Sequence, residues 1–177
     1  VNISLIMPKQ GQADTHFHRD FEKMYSLIQQ ALLHTGYHVD KGEIVGAYCP
    51  GDFDLSIGGR KFCGIAQRRQ AHAYIVQAFV IVNGSGQSRA QLVKGFYERA
   101  AVDAPSTQFP LVTDDSTASL AELTDMGEDP VTAFAEAVKY VIRDQQTLQD
   151  IPTIMHPLYL PTSNEVLDMA TTLRHRY

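Results

Sequence analysis

The stretch Tyr48-Cys49-Pro50-Gly51-Asp52-Phe53-Asp54-Leu55-Ser56-Ile57-Gly58-Gly59-Arg60-Lys61-Phe62-Cys63-Gly64-Ile65-Ala66-Gln67-Arg68-Arg69 decides how this chain folds. Cys49-Pro50-Gly51 is a turn signal, because proline fixes one backbone dihedral and the glycine beside it frees the next. Behind the turn, the runs 53–57 and 60–68 are separated only by Gly58-Gly59. A Gly-Gly pair supplies the positive φ that both central positions of a two-residue hairpin turn require. The spacing therefore predicts a β-hairpin in which Lys61 pairs with Leu55 or Ser56. Cys49 lies outside the hairpin and would meet Lys61 only through further folding.

Working outward, residues 73–82 are the most apolar run and predict another strand, broken by Asn83-Gly84-Ser85-Gly86. Ser88 is placed to cap a helix over 89–101. Upstream, Phe17, Phe21, Met24, Tyr25, Ile28, Ala31 and Leu32 recur at helical spacing over four turns, and Gly36 follows as a stop. Residues 1–7 alternate like a strand and end at Pro8. Downstream, 102–116 is rich in turn residues, a short helix begins within 120–123, and Pro130 suits the first turn of a helix reaching Gln146. Ser163 is expected to cap a last helix towards Arg174. Residues 1–101 thus hold the sheet and hairpin and 102–177 are mainly helical. That is the α/β class in its α+β form, expected as a single domain over 1–177.

Composition narrows the function. The chain has 177 residues, 44% hydrophobic and 20% charged, enough for one core that buries roughly 70% of the unfolded surface without staples. A net charge of −5 opposes the basic footprint that phosphate backbones select, so nucleic acid is not expected as a partner. No apolar run approaches the roughly 20 residues of a membrane span, so no membrane is expected either. Two cysteines, Cys49 and Cys63, without a signal peptide predict free thiols and a cytoplasmic location. The chain begins without Met, directly in a strand-like run, which reads as the interior of a domain whose N-terminal part is absent.

Several side chains could carry chemistry. Cys49 sits beside an exposed Pro-Gly turn, and a nearby cation would favour the nucleophilic thiolate. Taken alone, it reads more readily as a small buried hydrophobe, as most free cysteines are. Cys63, within the alternating Phe62-Cys63-Gly64-Ile65, reads as such a hydrophobe. Gly84-Ser85-Gly86 between a strand and a helix could cradle phosphate, but Arg89 stands where a dinucleotide fingerprint needs a third glycine. His16 with His18, and His34 with His38, lack the Cys or carboxylate partners of a metal site, so no metal is expected.

Residues 48–69 together resemble the biotin/lipoate protein ligase and lipoyl (octanoyl) transferase superfamily, whose hairpin carries a Gly-x-Lys-hydrophobic-small-Gly signature. Within it, Cys49-Pro50-Gly51 followed by Phe53-Asp54-Leu55-Ser56-Ile57 is similar to the cysteine-dependent octanoyl-[GcvH]:protein N-octanoyltransferases of Gram-positive bacteria. The strand containing Gln77, the helix ending near Tyr97 and residues 1–6 resemble the same family, so the likeness spans most of 1–100.

The resemblance implies a biotin/lipoate protein ligase-like fold with a mixed central β-sheet flanked by helices. It implies Cys49 as the acyl-accepting nucleophile and Lys61 as the residue facing the acyl carbonyl, with Gly58, Gly59, Gly64, Gln67 and Gln77 around the substrate. The implied reaction moves an octanoyl or lipoyl group from the glycine cleavage H protein to a lysine of lipoyl domains of 2-oxoacid dehydrogenases. A cysteine thioester replaces adenylate activation, so ATP is not expected as a cofactor. Arg60, Arg68 and Arg69 are candidates for docking acidic lipoyl-type domains. Alternatives within the superfamily are an octanoyl-acyl carrier protein transferase and an ATP-dependent lipoate-protein ligase. Alternatives outside it are a non-catalytic module that binds lipoylated or biotinylated domains and a purely structural piece. Two departures stand out: the Arg-rich Gly-Gly segment that the family carries upstream of this first strand has no counterpart among residues 1–177, and Cys63 stands where a small non-thiol residue is usual. The isolated chain could on this reading be inactive.

Overall fold

The Gly58-Gly59 pair joins β3 (Leu55–Ile57) to β4 (Arg60–Arg69), with φ of 58° and 76° at the two glycines. These are the values a two-residue turn of this hand needs. In the computed structural model, which describes residues 1–9, 17–70, 73–102, 105, 108–147 and 161–175, this hairpin lies inside a five-stranded sheet. The other strands are β1 (Asn2–Pro8), β2 (Asp40–Lys41) and β5 (Ala73–Val80), in the order β1-β5-β4-β3-β2. The four ladders are antiparallel. Among the described residues the parallel pairing is a single bridge from Lys61 to Thr117.

Ser56 pairs with Lys61, as the hairpin spacing predicts, but Leu55 then pairs with Cys63. One residue of β4 is therefore extra at this point, and Phe62 forms a β-bulge. The simple alternation expected for 62–65 fails here: Phe62 and Cys63 are both buried in the core. Beyond the bulge the strand's faces are exchanged, so Gly64 comes to the side of Lys61. A methyl group on Gly64 would lie 3.5 Å from Asp54 Oδ1 and 3.9 Å from Lys61 Nζ.

One face of the sheet is covered. The helix α1 (Phe17–Leu32) buries Met24, Leu27, Ile28, Ala31 and Leu32 in a cluster with Tyr74, Val76, Ala78 and Val80 of β5. Full burial of each large aliphatic side chain contributes about 1.5–3 kcal/mol. A short 3-10 turn, Leu33–Thr35, ends the helix at Gly36, whose φ of 76° fits a left-handed cap. Gln77 and Phe79 point to the opposite, exposed face, where they pair with Ala66 and Gly64.

After β5 the helix α2 spans Gly86–Ala100 and starts earlier than the sequence suggests. Ser85 is its cap, its hydroxyl accepting the Ser88 N–H, so Ser88 is a third-position donor. Gly86 is required for close approach, because a Cβ there would lie 2.2 Å from the Thr117 carbonyl oxygen. Residues 112–120, read from sequence as turns leading to a helix, supply core: Val112, Thr117, Ala118 and Leu120 are buried. Their backbone clamps onto the sheet, with Lys61 N–H donating to the Ser116 oxygen and Ala118 N–H to the Lys61 oxygen. The helix α3 (Leu120–Leu123) follows, then α4 (Pro130–Thr147), whose Phe134, Val138 and Val141 join the same core.

By internal contacts the chain divides into a unit Val1–Gln145 and a unit Gln146–Tyr177. In the second, α5 (Ser163–Arg174) is capped by Thr162, one residue before the expected Ser163, because Thr162 and Glu165 form a reciprocal capping box.

Candidate active site

Cys49 has φ of 46° and is the non-glycine residue at positive φ among the described residues. Such a conformation costs of order 1–3 kcal/mol and persists only where the surroundings impose it. Here Lys61 holds the carbonyls on either side of it, of Tyr48 and of Cys49, and Asp54 closes the turn that follows. Asp54 Oδ2 accepts the Gly51 N–H at 3.1 Å, and the Asp54 N–H donates to the Gly51 oxygen at 3.0 Å. The turn quoted from sequence is thus closed from both sides, and it presents an exposed, free Cys49 thiol.

Lys61 reaches into this turn from β4. An ammonium has three N–H donors, and all three are engaged: with the Tyr48 oxygen at 2.8 Å, the Cys49 oxygen at 2.9 Å and Asp54 Oδ2 at 2.6 Å. Lys61 and Asp54 are both buried, and a buried charge is tolerable only when paired and hydrogen-bonded in this way. Burial raises the Asp54 pKa, an effect that Lys61 opposes but does not cancel. The separation left open by the sequence is thereby closed, with Lys61 bonded to the backbone of Cys49.

These groups line a cavity of about 400 Å³. Its remaining lining is largely apolar and includes Pro50, Ile65, Phe79 and Ile81. Gly64 lines the same cavity, whereas Gly58, Gly59, Gln67 and Gln77 are not among its lining residues. Gly58 and Gly59 form the exposed hairpin turn. Gln67 donates to the Phe17 oxygen at the start of α1, and Gln77 donates to Ser4 Oγ on the open sheet face.

Cys63 also lines the cavity, yet it is 1% exposed. Its Sγ donates to the Gly64 oxygen, and burial, with the Asp54 charge, pushes its thiol well above the ordinary range. A thiol so placed is inert near neutral pH. The arginines divide similarly. Arg69 is committed to the Asp20 carboxylate and lies over the rings of Phe17 and Tyr74. Arg68 is exposed and Arg60 half-buried.

The Gly84-Ser85-Gly86 segment does open a helix, but a carboxylate of the protein fills the position considered for phosphate. Glu122 Oε2 accepts the Gly86 N–H at 2.9 Å and also the Ser119 N–H at 2.8 Å. Among the described residues no cluster of His, Cys, Asp or Glu could hold a metal ion. His38 instead meets Asp40 at 3.3 Å, and His16 lies outside the described residues.

Sequence reading missed one neighbour of the thiol. Tyr97 of α2 brings its hydroxyl to 4.0 Å from Cys49 Sγ. Gly86, Ala90, Val93 and Tyr97 form the inward stripe of α2, a 4-3-4 spacing that was present in the sequence. The nature of the group opposite that stripe was not.

The family model of the lipoyl protein ligase A/B catalytic domain matches residues 1–143. A protein of Exiguobacterium sibiricum named octanoyl-[GcvH]:protein N-octanoyltransferase is 44% identical over 125 residues, covering 70% of this chain and 45% of its own length. One of the same name from Geobacillus kaustophilus is 46% identical over 125 residues, 70% of this chain and 44% of its own. A third, from Anoxybacillus flavithermus, is 40% identical over 158 residues, 89% of this chain and 54% of its own. The chain thus spans about half the length of the curated relatives it matches. Among solved structures, a lipoate-protein ligase A bound with ATP superposes with a TM-score of 0.60 at 15% identity, over 97% of this chain and 59% of that one. A bipartite lipoate protein ligase from Thermoplasma acidophilum, described with its E2 lipoyl domain, gives 0.56 at 17% identity, over 97% and 58%. At these identities the structures show the shared fold.

Proposed function

The chain belongs to the lipoyl protein ligase A/B catalytic domain family, and on that premise we propose that it is an octanoyltransferase working through a thioester on Cys49. The donor in this reading is an octanoylated lysine of the glycine cleavage H protein. The acceptor is a lysine of lipoyl domains of 2-oxoacid dehydrogenases. The names of the relatives support the reaction. One observation carries it to these residues: an exposed thiol, held at positive φ, lines an apolar cavity with a buried ammonium bonded to its backbone.

In the first half-reaction Cys49 Sγ attacks the amide carbonyl carbon, and the lysine of the donor leaves. In the second, the acceptor amine attacks the thioester and frees the thiol. The acyl oxygen becomes negative in both transition states. Lys61 is assigned to it: on entering the cavity, that oxygen takes over one of the N–H bonds now made to the Tyr48 and Cys49 carbonyls. Gly64 keeps the Lys61 side of the cavity clear, and each methylene of the acyl chain buried along Ile65 and Phe79 contributes about 0.8 kcal/mol. Gln77 is assigned to the open face beside this slot. Gly58 and Gly59 act through the hairpin turn, and Gln67 through the start of α1. The thioester carries the activation, so ATP has no step. Arg68, on the surface, is the remaining arginine of its run for meeting an acidic lipoyl domain. Two free thiols fit a cytoplasmic setting, and no described helix is long and apolar enough to cross a membrane.

The test is transfer in the absence of ATP. Octanoylated H protein, a lipoyl domain with a free lysine and this chain are incubated together, and the lipoyl domain is weighed by mass spectrometry. Gain of one octanoyl group supports the reading. Transfer that instead demands ATP and free octanoate makes the protein a ligase.

A further inference from the structure

Amide donors pose a problem that the Cys49–Lys61 pair does not solve. The departing lysine nitrogen must collect a proton, and the acceptor amine must later lose one, yet Lys61 keeps its bonds to Asp54 and to one of the Tyr48 and Cys49 carbonyls and gives its third N–H to the acyl oxygen. Among the described residues, the side chain within hydrogen-bonding range of the Cys49 thiol is Tyr97, whose hydroxyl stands 4.0 Å from Sγ. Such contacts are commonly long before substrate binds and tighten afterwards. The Tyr97 ring stacks on Phe109, with centroids 6.2 Å apart and planes 20° off parallel, so the hydroxyl sits on a braced support.

We propose that Tyr97 is a catalytic residue, its hydroxyl relaying the proton between Cys49 Sγ and the lysine nitrogen in both half-reactions; the proposal rests on the acyl-transfer reading above. As the S–C bond forms and the C–N bond breaks, the thiol proton passes to Tyr97 Oη and the Oη proton passes to the leaving nitrogen. Lysine departs as a neutral amine and the phenol is neutral again. In the second half-reaction the attacking amine gives a proton to Oη, and Oη returns one to Sγ as the C–S bond breaks. No net charge is left on the tyrosine. That suits its surroundings, since burial and the neighbouring Cys49 both raise the Tyr97 pKa and disfavour the phenolate.

Tyr97→Phe removes the oxygen and keeps the stacked ring. With octanoylated H protein as donor, acylation of Cys49 is expected to fall about 100-fold, the usual scale of a lost general acid. With p-nitrophenyl octanoate the nitrophenolate leaves without a proton and the exposed Cys49 thiol releases its own to solvent, so the rate should change by less than about 3-fold. Equal losses with the two donors would mean that Tyr97 only positions the thiol, and an unchanged rate with the H protein would mean that it takes no part; either overturns the relay. Wild-type protein that forms no octanoyl adduct on Cys49 from either donor overturns the acyl-transfer reading itself, and the relay with it.

Discussion

Cys49 and Cys63 line the same cavity together with Lys61, yet the fold treats them in opposite ways. Cys49 occupies a turn closed by Asp54, at positive φ, exposed, with Tyr97 beside it. Cys63 follows a bulge that turns it into the core, where burial raises its thiol pKa. Whether a thiol reaches the surface is decided here by backbone geometry and not by residue type. The bulge at Phe62 withdraws one thiol, and the Asp54-bound turn presents the other.

The severest way to break this contrast is Cys49→Ser. A serine hydroxyl has no comparable anion fraction near neutral pH, so transfer from H protein to lipoyl domain should fall by orders of magnitude with the melting temperature nearly unchanged. Transfer at close to the wild-type rate would remove the covalent step.

Lys61→Ala comes next. Loss of an electrostatic donor to the developing oxyanion should slow both half-reactions by about 100-fold in rapid-quench measurements. The variant should also be less stable, by about 3–5 kcal/mol, because the buried Asp54 carboxylate is left without its partner. Lys61→Arg should recover only part of the rate, since a planar guanidinium cannot reproduce the three-way bonding of the ammonium. A variant that acylates normally and fails only in release would assign Lys61 to the acceptor amine instead.

Much of this contrast was legible in the sequence, and what was hidden has a physical reason. Gly58-Gly59 announces the hairpin and Gly36 the end of α1, because the conformations they adopt are local and favour glycine. The bulge is not local: which of Phe62 and Cys63 opposes Leu55 depends on how β3 and β4 slide past one another. The sequence places Ser88 as the cap of α2, but Ser85 takes that position, since the helix already begins at Gly86, within touching distance of Thr117. Tyr97 lies 48 residues from Cys49, so its place beside the thiol exists only once α2 has packed. The burial of Val112 and of 116–120 belongs to the same class, since a stretch without period gains its partners only from the finished sheet.

On the α1 side of β4, the ion pair of Asp20 with Arg69 offers a milder comparison with Lys61–Asp54. Burial raises the Asp20 pKa, but bonds from Tyr74 and Lys23, with the charges of Lys23 and Arg69, outweigh it and hold the carboxyl below its usual range. The stability it contributes is therefore present above about pH 4 and is lost as pH falls through its folded value. Thermal melts between neutral pH and pH 3 should show a steeper acid decline for the wild type than for Asp20→Asn. Parallel declines would mean that Asp20 contributes no folded-state preference. The smallest effect is expected from Cys63→Ala: an activity near wild type and a loss of about 1 kcal/mol, for removal of a small buried group.

Cys49, and not Cys63, is expected to carry the octanoyl group. Acid-quenching the chain seconds after mixing with octanoylated H protein, digesting it and sequencing the modified peptide by mass spectrometry reads this directly. One octanoyl group, labile to hydroxylamine, is expected on the peptide containing Cys49, with the Cys63 peptide unmodified. An octanoyl group on Cys63, or turnover with no thioester on either cysteine, would contradict it.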